Sequence, residues 1–200
     1  MTTKIVVLVA SLLVATTTVA MAQTPVRVRG SVTELSGQTL KVKSREGSVV
    51  ELKLADGYTV TGVVKAALAD IKPGAFVGAA ALKQPDGTFR AQEVLIFPES
   101  ARGTGEGHRP WDLTPDSTMT NATVDAIVEK VDGPVLTLKY PNGQASIVVP
   151  RDVPIVTFSS GDPGLLRPGA AVFIPATKNA DGTLTTNRIL VGKDGVVPPM

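Results

Sequence analysis

Pro73-Gly74-Ala75-Phe76-Val77 returns later in the chain as Pro168-Gly169-Ala170-Ala171-Val172. An internal repeat governs how everything around it is read, because each copy must then be one supersecondary unit of the same kind. Working outward, one constant shift lays Val28, Val32, Gly37, Leu40 and Lys43 on Val124, Val128, Gly133, Leu136 and Lys139. After a single deleted residue the register continues, with Ala81, Lys83, Asp86, Gly87, Thr88 and Leu95 on Ala176, Lys178, Asp181, Gly182, Thr183 and Leu190. The matched positions are apolar residues at period two and turn residues between them, the pattern of strands with one buried face. Leu40 and Val42 alternate with Lys41 and Lys43, and Val50, Leu52 and Leu54 with Glu51 and Lys53. Asn142-Gly143, Asp86-Gly87 and Asp181-Gly182 supply the positive φ of tight hairpins.

Five strands per copy follow, near residues 26–35, 39–44, 48–55, 75–83 and 88–97, and near 123–131, 135–140, 144–149, 170–177 and 183–192. In the first copy the Ala- and Leu-rich segment from Val63 to Asp70 favours one or two helical turns, which Pro73-Gly74 stops. In the second, Ser159 to Gly164 reads as a loop or one tight turn. Five strands with a small helix between the third and fourth is the element order of an OB-type barrel. The expected fold is therefore all-β: two tandem five-stranded OB-like barrels, with a short helix between strands three and four of the first copy. The expected domains are residues 23–97, a polar linker 98–122, and residues 123–200 with a C-terminal tail.

Met1 to Ala22 reads as a secretory signal peptide, with Lys4, an apolar run from Ile5 to Ala20, and Ala20-Met21-Ala22 as a small-x-small cleavage site. A periplasmic or secreted protein follows, one that does not span a membrane. The sequence has no Cys, so no disulfide, thiolate zinc site or thiol nucleophile is available and the core and β-ladders must hold the fold. A net charge of +2 gives no reason to expect a nucleic-acid partner. The second and third strands, where OB folds stack bases, carry no aromatic residue in the first copy and only Tyr140 in the second.

The Asp56, Val60-Thr61, Lys72-Pro73-Gly74 and Asp86-Gly87-Thr88 pattern resembles exported bacterial OB-like modules of unknown function. Within the linker, Gly107-His108-Arg109-Pro110-Trp111-Asp112 resembles a subgroup loosely labelled metal-transport permease. The resemblance implies the barrel fold and leaves the activity open.

Catalytic chemistry is poorly supplied. The single His lies in a Gly-rich linker without a rigid support for a base-activated nucleophile, so no enzyme is expected. Asp56, Asp86, Asp152 and Asp181 recur as turn residues. The linker, Pro98 to Ala122, lacks alternation and holds the only His and the only Trp. Three readings stand. Trp111 and Leu113 dock between the barrels; or Arg109, Trp111 and Asp112 form an anchor for a protein or small ligand; or His108 with Glu106, Asp116 or Asp112 holds a divalent cation weakly. The function expected is a non-catalytic periplasmic binding or interaction protein that recognises its ligand or partner through the linker. The alternative is a metal-binding accessory factor using His108 and nearby carboxylates, with that weakly bound metal as its only cofactor.

Overall fold

A computed structural model describes residues 23–198; the expected signal peptide lies outside the described residues. Twelve strands form one continuous sheet: β1 (Thr24–Ser36), β2 (Thr39–Ser44), β3 (Val49–Lys65), β4 (Phe76–Lys83), β5 (Phe89–Ile96), β6 (Gly107–Pro110), β7 (Ser117–Val128), β8 (Val135–Tyr140), β9 (Gly143–Val148), β10 (Ile155–Ser160), β11 (Ala171–Lys178) and β12 (Leu184–Gly192). No helix among the described residues is long and apolar enough to cross a membrane. The protein is all-β; ten of the strands overlap those expected from the alternation of apolar residues, whereas β6 and β10 fall where no strand was expected and β3 runs ten residues past residue 55.

The strands close into barrels in an order that crosses the repeat. β1 pairs with β2, β2 with β3, β3 with β12 in parallel, β12 with β11, and β11 back with β1. This terminal barrel therefore takes three strands from the first copy and two from the second. The remaining strands make the reciprocal central barrel: β7 with β8, β8 with β9, β9 with β5 in parallel, β5 with β4, and β4 back with β7. Each closed circuit has the five-stranded makeup expected of a single copy, with its fourth and fifth strands supplied by the other copy. The division at residues 97 and 123 thus separates sequence copies, not packing units.

Packing follows the exchange. The terminal core joins Val28, Leu40 and Leu52 to Ile174, Ile189 and Val191. The central core joins Val77, Ala79 and Val94 to Leu136, Leu138 and Ile147. A third cluster between them holds Val63, Leu95, Val156, Phe173 and Leu190, with Phe97, Trp111 and Phe158 against it.

The crossing itself is made by β3 and β10, which pair antiparallel from Thr61↔Ser160 to Lys65↔Val156. Two glycines allow the backbones to approach: a Cβ on Gly62 would lie 2.5 Å from Ser159 Oγ, and one on Gly161 would lie 2.7 Å from both Val60 O and Gly62 N. The neighbours of Gly161 are backbone atoms that cannot rotate away. Gly161→Ala should therefore destabilise the protein by about 1–3 kcal/mol, the usual cost of forcing atoms into a packed site, as measured by urea unfolding. A change within 0.5 kcal/mol would mean that the crossing is looser than drawn.

Three expectations are corrected. Val63–Lys65 continues β3 because these residues have β10 to pair with, and the two β-branched valines suit a strand. Only Leu68–Asp70 forms a turn of 3₁₀ helix, and Pro163–Leu165 forms its counterpart, so the copies match at this point. The linker also ends early. Ser117–Ala122 belongs to β7, pairing with β4 from Leu82↔Ser117 to Val77↔Ala122. Its Thr- and Asn-rich composition conceals a buried strand in which Ser117, Met119, Thr120, Asn121 and Ala122 are all at most 6% exposed. The turn roles of Asp86 and Asp181 hold: each carboxylate accepts hydrogen bonds from the amide and hydroxyl of the Thr two residues on, Thr88 and Thr183. Asp152 also lies in a turn, but Asp56 lies inside β3, where its carboxylate accepts from Gln38 Nε2.

Candidate functional site

What remains of the linker is a strap across the seam. β6 lies antiparallel on β7, from Gly107↔Asn121 to Pro110↔Thr118, and the chain then turns back through residues 111–116. Ser117, 2% exposed, ties this turn. Its carbonyl accepts from Trp111 N at 2.7 Å, and its hydroxyl donates to Thr114 O at 2.7 Å and lies 3.1 Å from Trp111 O. Trp111 is thereby held with its ring half-buried against the third cluster.

Arginines from two strands gather around that ring. Arg27 Cζ lies 3.9 Å from the ring centroid, Arg109 Cζ 5.4 Å and Arg29 Cζ 6.0 Å, within cation–π range. Arg29 also faces the Phe173 ring at 5.1 Å. Asp112 accepts from Arg29 Nη2 at 2.8 Å and from Arg27 Nη1 at 3.2 Å. These bonds tie the strap to β1 of the terminal barrel, while β6 ties it to the central one. Burial alone would raise the Asp112 carboxyl; the hydrogen bond and charge of Arg29, with those of Arg27, more than offset this and hold it below its ordinary range. Burial and the charge of Arg27 push Arg109 down, while Arg109 Nη1 donates to Gly105 O at 2.6 Å.

The sign of the Asp112 shift sets a pH prediction. A carboxyl depressed in the folded state contributes stability that is fully present above its unfolded value, near 3.8, and that is lost as pH falls through the lower folded value. Asp112→Asn should therefore melt below the native protein at pH 7, with the difference shrinking below about pH 4. Thermal unfolding of both proteins from pH 7 down to pH 2.5 checks this, and a gap independent of pH would remove the ion pairs from the account.

Beneath the strap is a cavity of about 60 Å³. Gly78 forms part of its wall, and a Cβ there would lie 2.7 Å from Asn121 Oδ1. Asn121 Nδ2 donates to Thr104 O at 2.9 Å, whereas Asn121 Oδ1 and Trp111 Nε1 are buried without a hydrogen-bond partner. Buried polar atoms are almost always paired, so these two are polar groups that the strap leaves unsatisfied.

The anchor residues expected from sequence thus come together: Arg109, Trp111 and Asp112 share one cluster. The expected metal residues do not. His108 Nδ1 lies 2.8 Å from Thr120 Oγ1, and its ring stacks on Tyr140 at 6.3 Å and meets Phe89 edge-on at 5.0 Å. Burial, and then the charge of Arg109, lower its pKa. Glu106 and Asp116 are exposed, and no group of three or more His, Asp or Glu among the described residues is placed to hold a metal ion. Sequence reasoning missed Arg27, Arg29 and Asn121. The first two were signalled by Arg-Val-Arg alternation in β1, which puts both arginines on the face opposite Val28.

No family model, curated protein or solved structure matches the chain.

Proposed function

We propose that the chain is a non-catalytic binding protein of the periplasm, and that its recognition surface is the strap with the arginines around Trp111. The observation that carries this reading is the gathering of Arg27, Arg29 and Arg109 on one indole with Asp112 as the carboxylate among them. Three guanidiniums to one carboxylate leave the patch cationic. Stacking and ion pairing restrict side chains that would otherwise lose rotamer freedom on binding, at roughly 0.5–1.5 kcal/mol each. Trp and Arg are also the residues on which binding energy concentrates. The partner is a protein or small ligand that offers an anionic group to the strap.

Thermal-shift screening of the mature protein against a panel of small periplasmic anions, with pull-down from periplasmic extract, tests the reading. At least one compound or partner should be retained by the native protein and lost by the Arg27→Ala/Arg109→Ala variant, whose fold is verified by circular dichroism. Identical profiles for the two proteins would overturn the reading.

A further inference from the structure

Next to the strap, on the terminal-barrel side of the seam, a groove of about 620 Å³ runs between β1, the end of β2, Leu113 of the strap and the C-terminal segment at Val197 and Pro198. Its size is that of small-ligand sites, roughly 300–1,000 Å³. Three cations line it, Arg29, Lys43 and Arg45, and no carboxylate belongs to its wall; the exposed Glu46 beside Arg45 hydrogen-bonds with Ser44 and offsets part of the charge of Arg45 and Arg29. Arg29 is held by Asp112, but Lys43 and Arg45 are exposed and form no ion pair among the described residues. The groove thus concentrates positive charge in a chain whose net charge is only +2.

The rest of the lining is apolar. Leu113 is half-buried and Pro198 buried, while Val197 stands 72% exposed at the groove. A polyanion would use the cations and leave this wall wet; a neutral apolar ligand would use the wall and leave the cations without a partner. A ligand with an acidic head and a short apolar body satisfies both.

We propose that this groove binds an amphipathic carboxylate, with its head between Lys43 and Arg45 and its apolar body against Leu113, Val197 and Pro198. The assignment rests on the reading of the chain as a binding protein and adds a ligand class and a location. Lys43 and Arg45 supply attraction that salt screens, over a Debye length of about 8 Å at physiological ionic strength. The apolar wall supplies a part that salt leaves intact. Leu113 lies two residues from Trp111, the only tryptophan, so indole fluorescence reports occupancy.

The test titrates the mature protein with octanoate, octanol and sulfate, following Trp111 fluorescence and calorimetry. Octanoate should bind saturably, with octanol and sulfate each at least tenfold weaker. Lys43→Ala/Arg45→Ala should weaken octanoate at least tenfold while leaving the melting temperature in place, since both side chains are exposed, and Leu113→Ser should weaken it by at least threefold. Absence of saturable octanoate binding overturns the proposal, as does octanol binding as tightly as octanoate or a double variant that binds like the native protein. Hits from the anion panel that survive Lys43→Ala/Arg45→Ala but fail in Arg27→Ala/Arg109→Ala would leave the binding function standing and remove the groove. A panel without hits alongside octanoate lost in Lys43→Ala/Arg45→Ala would leave the groove and the binding function standing and remove the strap arginines as the recognition surface.

Discussion

Replacing Ile189 by alanine should lower stability by about 2–5 kcal/mol, the range for truncating a buried isoleucine or leucine, and the damage should appear in β1, β2 and β3. Ile189 is fully buried in β12, at the far end of the chain. Its core neighbours include Val28, Leu40 and Leu52 of the first copy, and it stands opposite Val60 in the parallel β3–β12 ladder. Were each copy its own barrel, the same residue would support β7, β8 and β9. Native-state hydrogen exchange separates the two, because local openings release amides in contiguous units. In Ile189→Ala the protection lost first should lie in residues 24–65 and 171–192. In Ile147→Ala, which truncates the central core, it should lie in residues 76–96 and 117–148. A second readout is independent of exchange rates. Thr24 and Lys178 are exposed and stand opposite each other across β1 and β11, and directly paired antiparallel residues are about 4.5–5.5 Å apart at Cα, within disulfide reach. The native chain has no Cys, so Thr24→Cys/Lys178→Cys should cross-link within a monomer on mild oxidation. Failure to cross-link, with protection lost from β7–β9 in Ile189→Ala, would return each copy to its own barrel.

Ten of the strands were legible in the sequence, while β6, β10 and the second half of β3 were not, and neither were the partners; the duplication explains why the partners were hidden. Alternation such as Leu40-Lys41-Val42-Lys43 is a local signal, and every such run became a strand. Which fourth and fifth strands close a barrel is decided by ladders that the repeat makes equivalent: Pro73-Gly74-Ala75 leading into β4 and Pro168-Gly169-Ala170 leading into β11 carry the same turn residues. The choice lies instead in the connection. β3 runs on through Gly62 to Lys65 alongside β10, carrying the chain out of the terminal barrel before Leu68–Asp70 turns it. That signal was masked by the helix-favouring alanines of the next residues, since propensity is a weak prior beside a waiting strand partner.

The site divides in the same way. Arg109, Trp111 and Asp112 were readable because rare residue types stand together in a stretch without alternation. Their partners Arg27 and Arg29 lie some eighty positions away (the Arg29–Asp112 separation is 83), and nothing local joins them. His108 was read as a ligand because it is the only His; its environment of Thr120, Phe89 and Tyr140 is made by β7, β5 and β8, which only the fold assembles.

Trp111→Ala should cost about 2–4 kcal/mol, somewhat below the usual range for a fully buried tryptophan because the ring is only half-buried, and Trp111→Phe should cost less than about 1.5 kcal/mol. The ring packs against a cluster in which Val63 and Leu95 come from the first copy and Val156, Phe173 and Leu190 from the second. Removing it therefore opens the contact between the barrels and not the core of either one. It also releases the guanidiniums of Arg27 and Arg109, each cation–π contact adding about 0.5–1 kcal/mol at exposed sites. Phenylalanine keeps an aromatic face for both and deletes an indole N–H that is buried without a partner, a group whose desolvation costs roughly 1–3 kcal/mol; the smaller ring and the relieved penalty work in opposite directions. Urea unfolding followed by circular dichroism gives both free energies. The order is the informative part: an alanine variant as stable as the native protein would make the indole a surface ornament, while a phenylalanine variant as damaged as the alanine one would mean that the N–H has a partner. If alanine is costly and phenylalanine mild, the strap is a staple across the exchanged barrels, and the arginines it aligns are fixed in place before any ligand arrives.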